Sequence, residues 1–238
     1  NNMNQAMVAT ALGLPVTVFR RLVQDNAAVS SLLLTPSDVE GASPVVTLER
    51  LNVSSALKSK LDADDGIAAR VLLLAHTGDK AAQAAQAALV EGVDVGDVYC
   101  GPFAAAQATA AQLVATVAAG GAAEPDMTTL MDAGAALPAE EVWSLLVGRA
   151  PTSGGACSVA VLDPNAVSAL VCAALGMASA SSVRIDVGSA TLMEFHGPPA
   201  DTPPRVRCVN SMTHITIEPA VQAELQATSS GVAEVSME

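Results

Sequence analysis

The chain has 238 residues, 51% of them hydrophobic and only 2% aromatic, enough apolar mass for one large domain or one domain plus a piece of another, filled with Ala, Val and Leu. Its 24 acidic against 11 basic residues give a formal charge of −13 with no Lys/Arg cluster, which repels a phosphate backbone and argues against nucleic acid as a partner. The apolar stretches Ala104 to Gly120 and Ala166 to Ala180 are too short to span a bilayer, so a soluble protein without a transmembrane segment is expected.

In chain order, Asn1 to Leu14 reads as a helix closed at Gly13, with no signal or transit pattern at its start. Asp25 to Val29, the apolar Leu32 to Leu34, a Pro/Gly/Asp turn and a strand ending Leu51-Asn52 follow. Ser54 to Asp65 is polar, with Asp62, Asp64 and Asp65 close together, and reads as a linker. Strands are then expected at Arg70 to Leu74, Val95 to Cys100 and Ser158 to Leu162, and helices at Lys80 to Val90, Pro102 to Ala119 and Ala139 to Leu146. This alternation implies right-handed crossovers and an α/β fold of three layers, helix–sheet–helix, around a mostly parallel sheet.

The opening pattern then recurs. Asn1 to Leu14 (NNMNQAMVATALGL) matches Pro164 to Met177 (PNAVSALVCAALGM) without a gap. Asp25 to Val29 matches Asp186 to Ala190, and Leu51-Asn52 matches Val209-Asn210. Two copies separated by unlike sequence indicate two domains, the first truncated, rather than a solenoid. The expected division is 1–55 for the piece of a first domain, 56–68 for a linker, 69–215 for a second domain and 216–238 for a polar tail.

Three stretches carry the chemistry: Leu74-Ala75-His76-Thr77 after the first strand of the second domain, Cys100 to Ala110 (CGPFAAAQATA) after the next, and Val161-Leu162-Asp163-Pro164-Asn165 after a later one. Their order resembles the histidine phosphatase, or phosphoglycerate-mutase-like, superfamily, and its tandem plastid members in particular. There a strand ends in Arg-His-Gly, a second is followed by Ser-Pro-Leu-x-Arg-Ala-x-Gln-Thr-Ala, and a later one leads to His-Gly. The resemblance implies a phosphoglycerate-mutase-like sheet, a chloroplast location, and a His nucleophile inside a cationic cradle of two Arg and a second His. His76 stands at the nucleophile position. The first Arg position is Ala75, the second is Ala105, and the second His position is Asp163, an anion where a phosphate oxygen belongs. Asp132 aligns with the family's acid. In the incomplete copy, the second His would fall just before Asn1.

Losing one preorganised donor to a developing oxyanion costs roughly 3 to 4 kcal/mol, and three such losses remove several powers of ten in rate even without additivity. The expectation is a catalytically inactive phosphatase-like module serving as an interaction or structural subunit, with other protein subunits as partners and no cofactor or metal. The alternative is the carboxy-terminal part of a sugar-phosphate phosphatase whose active site lies in an upstream domain. Ligand sensing in the vestigial cleft is a third reading, suited to a neutral or cationic metabolite. Elsewhere the expectations are structural. His214 supports a strand end, His196 lies solvated in a turn, Trp143 is core or interface, and Thr152-Ser153-Gly154-Gly155 is a connection without P-loop spacing. Cys100, Cys157, Cys172 and Cys208 read as buried reduced thiols, a disulfide being the lesser reading.

Overall fold

The computed structural model describes residues 2–39, 41–55, 57–61, 67–130, 138–148, 157–177, 182–197 and 202–215. The first repeat copy supplies α1 (Asn2–Ala11), β1 (Val29–Thr35) and β2 (Val45–Val53), followed by the short α2 (Leu57–Leu61). Alternating elements come next: β3 (Ala69–Ala75), α3 (Lys80–Leu89), β4 (Val95–Cys100), α4 (Ala104–Ala119), β5 (Asp126–Thr129), α5 (Ala139–Gly148) and β6 (Cys157–Leu162). The second copy closes the sequence with α6 (Pro164–Leu175), β7 (Ala190–Phe195) and β8 (Arg205–Ser211).

The eight strands form one sheet in the order β1-β2-β8-β7-β3-β6-β4-β5. Parallel pairing joins β3 to β6, β6 to β4 and β4 to β5, as the alternation implied, whereas every pair from β3 through β7, β8 and β2 to β1 is antiparallel. The expected α/β class holds, with a parallel centre and an antiparallel flank. β3 and β6 are buried along their whole length, in keeping with their mostly apolar sequences without alternation, in which Arg70 and Ser158 are the buried polar residues. Odd positions Ala69, Val71 and Leu73 of β3 face α5 and α6 with Trp143, Leu146, Leu170 and Val171, while Leu72 and Leu74 face α3 and α4 with Ala87, Ala110 and Leu113. Two cores, one on each side of the sheet, make the three layers.

Local signals place the helices. Asp79 caps α3 by accepting the Ala82 N–H at 2.8 Å. Asp163 caps α6 by accepting the Asn165 N–H at 2.8 Å, Pro164 opens that helix, and Gly176 ends it at φ 68°. Two differences from the sequence reading concern elements without periodic patterns. Leu57–Leu61, inside the range read as a linker, is a short helix whose Leu57 and Leu61 are buried in the α3/α4-side core. β5 is a four-residue edge strand too short and polar to show alternation. The loop at 152–155, the acidic positions 62, 64 and 65, and the tail from 216 lie outside the described residues.

The repeat is structural as well as sequential, and its two copies meet edge to edge where β2 pairs with β8 at Leu51 and Val209. The contacts are reciprocal. Leu22 bridges to Val206 while Leu48 bridges to Val183, which are the corresponding residues exchanged. Asn52 and Asn210 both have positive φ, 51° and 61°. Asn52 Oδ1 accepts the Asp25 N–H at 2.7 Å, and its Nδ2 donates to Arg207 O at 2.7 Å across the junction. Asn210 Oδ1 accepts the Asp186 N–H at 2.7 Å, and its Nδ2 donates to Glu49 O at 2.8 Å in the opposite sense. A local two-fold relation therefore connects the copies, as in an isologous interface. Lys60 of α2 adds an ion pair to Asp25, and Arg207 lies 3.4 Å from the same carboxylate.

Candidate functional site

The three motif stretches arrive at the carboxyl ends of adjacent parallel strands, the place where open α/β sheets form a crevice. His76 follows β3, Gly101 to Phe103 follow β4, and Asp163 follows β6. The His76 N–H donates to Leu162 O at 2.8 Å, and the Gly101 N–H donates to Val161 O at 2.9 Å, so the three strand ends are tied together through β6. Sequence spacing of nearly ninety residues between His76 and Asp163 is closed by parallel register, with Ala75 opposite Leu162.

The His76 ring is half-buried, packs at 5.6 Å from the Phe103 ring, and points Nε2 toward Asp163 Oδ2 at 3.8 Å. That distance exceeds a hydrogen bond, and Nε2 is buried without a hydrogen-bond partner. Among the described residues, Asp163 is the charged group within ion-pair reach of His76. Ala75 is fully buried directly before the imidazole. Ala105 lies in the first turn of α4, two residues after Phe103, and its carbonyl accepts the Thr109 hydroxyl at 3.0 Å. The structure thus places His76, Ala75, Ala105 and Asp163 at or just past the carboxyl ends of the neighbouring strands β3, β4 and β6; Asp132 lies outside the described residues.

Behind His76 the backbone is held firmly. Thr77 Oγ1 accepts the Asp79 N–H at 3.1 Å, a local turn that leads into the α3 cap. Gln83 donates to Thr77 O at 2.7 Å, and the fully buried Gln86 donates to Ala75 O at 3.0 Å and Gly188 O at 3.1 Å. Gly188, at φ 84°, also receives His214 Nε2 at 3.0 Å, and a Cβ there would meet Ile215 at 3.3 Å. Burial holds the His214 ring below its usual titration range, opposed by the Gly188 carbonyl bond, and its Nδ1 is buried without a partner. His214 therefore supports the loop, as its position at the end of β8 suggested. His196 is exposed. Trp143 is core, edge-on to Phe195 at 5.5 Å, and the four cysteines are buried free thiols. The described residues contain no cluster of His, Cys, Asp or Glu that could hold a metal and no helix long and apolar enough to cross a membrane.

No family model matches the chain. Over 52 residues, 22% of this chain, it is 50% identical to an Arabidopsis thaliana protein named "Probable 2-carboxy-D-arabinitol-1-phosphatase". Over 76 residues, 31% of this chain, it is 41% identical to the 2-carboxy-D-arabinitol-1-phosphatase of Triticum aestivum. The chain is similar, in part, to plant 2-carboxy-D-arabinitol-1-phosphatases. The matched stretches span only 11% and 15% of those proteins' own lengths. Among solved structures, the chain is similar to the phosphoglycerate mutase of Plasmodium falciparum at 12% identity and a TM-score of 0.45, covering 63% of this chain and 93% of that one. Mycobacterial glucosyl-3-phosphoglycerate phosphatase gives 17% identity and a TM-score of 0.44, covering 60% and 99%.

Phe103, Gln83 and Gln86 were not singled out from sequence. Phe103 was visible as the apolar residue of the motif, but its stacking on His76 depends on how α4 leaves β4. The two glutamines lie on the inner face of an Ala-rich helix, where polar residues three apart were the available signal.

Proposed function

We propose that this chain is a catalytically inactive histidine-phosphatase-like module that serves as an interaction or structural subunit. One observation carries the reading. The imidazole at the nucleophile position faces the carboxylate of Asp163 at 3.8 Å instead of a cationic cradle. A phosphoryl group brought to His76 would meet an anion there, with no guanidinium at positions 75 and 105 to offset it. Purified chain assayed with small phosphoesters beside a His76→Ala control should give the same background for both; turnover that disappears in the control would sink the idea.

A second reading is favoured by the reciprocal docking of the two repeat copies, which looks like two phosphatase-like units side by side. In it the chain is the carboxy-terminal part of a sugar-phosphate phosphatase, similar to the plant relatives, whose active site lies upstream of Asn1, and the protein works in the chloroplast. Expression of the full reading frame distinguishes the two. Sugar-phosphate hydrolysis that survives His76→Ala but is lost on replacing an upstream Arg-His-Gly histidine supports the second, and absence of both turnover and that motif supports the first.

A further inference from the structure

The repeat makes an internal control available, because the surface around β7 and α6 is complete and the surface around β1 and α1 is not. In the second copy, β7 lies between β8 and β3, and β3 pairs with it antiparallel over six registered positions, from Leu74 opposite Ala190 to Ala69 opposite Phe195. In the first copy, β1 pairs with β2 and closes the sheet order, so its other edge carries no strand among the described residues. Corresponding residues differ accordingly. Leu34 is 58% exposed where Phe195 is fully buried, and Met7 is 64% exposed where Leu170 is 5% exposed. Between α1 and β1 runs an open groove of about 520 Å³ lined by Met7, Val8, Ala11, Val29 and Leu32 among others. The same place in the second copy is filled by Ala69, Val71 and Leu73 of β3 packed on Val167, Leu170 and Val171.

We propose that the β1 edge and the apolar face of α1 form the seat of one further strand with the chemistry of β3. That strand is mostly apolar on both faces, as β3 is apart from Arg70, runs antiparallel to β1, and belongs to the part of the full-length protein that precedes Asn1. The commitment to this occupant comes from the repeat. The Asn52 and Asn210 hydrogen bonds show that the two copies are equivalent to atomic detail at their junction, and in the complete copy β3 both precedes its helix α6 in the chain and covers this surface. An unpaired edge with exposed Val29, Leu33 and Leu34 is otherwise a site for indiscriminate strand pairing. The source of the strand rests on the tandem reading above; the seat itself does not require that either unit be catalytic.

The test uses residues 1–238 and a synthetic peptide carrying the β3 sequence, Ala69–Ala75, with lysines added at its ends for solubility. Saturable binding by fluorescence anisotropy is expected, together with slowed hydrogen exchange of the β1 amides. Met7→Glu, at an exposed position that the fold tolerates, should weaken binding at least about tenfold, whereas Val16→Glu, more exposed still and outside the groove, should leave it unchanged. Absence of saturable binding, equal loss in both variants, or unprotected β1 amides would overturn the proposal. So would a dimer of the chain that buries β1 and that the peptide cannot displace, since the seat would then belong to a second copy. Peptide binding without phosphatase activity in the full-length protein would uphold the seat while removing the enzymatic reading, and activity without binding would do the reverse.

Discussion

The two repeat copies have nearly the same local structure and very different burial. Gly13 and Gly176 both end their helices at positive φ, 64° and 68°, and the asparagines at the strand ends make matching bonds. Yet β7 is buried at every position while β1 is buried at none. The difference teaches that turn chemistry and caps are local properties, retained wherever the sequence repeats, whereas burial is conferred by whatever lies alongside. The second copy has β3; the first has no such neighbour among the described residues.

The most damaging way to break the comparison is to remove the residues that make the copies equivalent. Asn52→Ala or Asn210→Ala deletes three side-chain hydrogen bonds and places alanine at positive φ. Each should lower the urea-unfolding free energy by about 3 kcal/mol or more, and by similar amounts because each holds a carbonyl of the other copy. Glycine at either site should recover only the backbone part.

A smaller effect separates the copies. Leu170→Ala should cost about 2 to 4 kcal/mol by leaving a cavity between α6 and β3. Met7→Ala, the matched change on the open face of α1, should stay within about 0.5 kcal/mol in the same urea titration. Equal losses would mean that the two helices are covered alike.

Two titrations sharpen the comparison further. Burial pushes the Cys208 thiol up to about 11, from an ordinary value of 9.0, despite a backbone hydrogen bond at Leu192. Because its folded value is raised, the contribution is fully present below pH 9 and is lost as the pH rises toward 11; Cys208→Ala should flatten that part of the stability profile. The smallest effect is at Asp25. Burial raises its carboxyl, but the Lys60 hydrogen bond and the charges of Arg207 and Lys60 outweigh burial and hold it below its ordinary 3.8. Its contribution is present above pH 3.8 and is lost as the pH falls through the lowered value, so Asp25→Asn should reduce stability at neutral pH and weaken its acid dependence, read by thermal melts between neutral pH and below 3.8.

Much of the second unit was legible because its signals are local and periodic. Val95–Cys100 is the strand that was expected, β3 is longer than expected by one residue at each end and β6 by one at its start, and the expected cap Gly176 adopts the left-handed conformation. Of the candidate site, what the sequence showed was residue types at expected strand ends, and His76, Ala75, Ala105 and Asp163 lie at or just past the carboxyl ends of β3, β4 and β6. What could not be read was their mutual geometry. The 3.8 Å approach of Asp163 to His76 and the packing of Phe103 on the imidazole depend on strands far apart in sequence and on the angle at which α4 departs. Leu57–Leu61 was missed because a five-residue helix is too short to establish a period.

By itself the sequence determined most of the element types, the glycine ends of α1 and α6, the repeat, and the placing of His76, Ala75, Ala105 and Asp163 after strands, because each depends on side-chain identity and near-neighbour spacing. The tertiary structure alone decided that the two copies face each other across the β2–β8 junction, that Asn52 and Asn210 exchange bonds there, and that β1 keeps an open edge. Strand pairing and docking join residues more than 150 positions apart, and the hydrogen bonds that select one partner edge over another come from backbone groups that every residue carries alike.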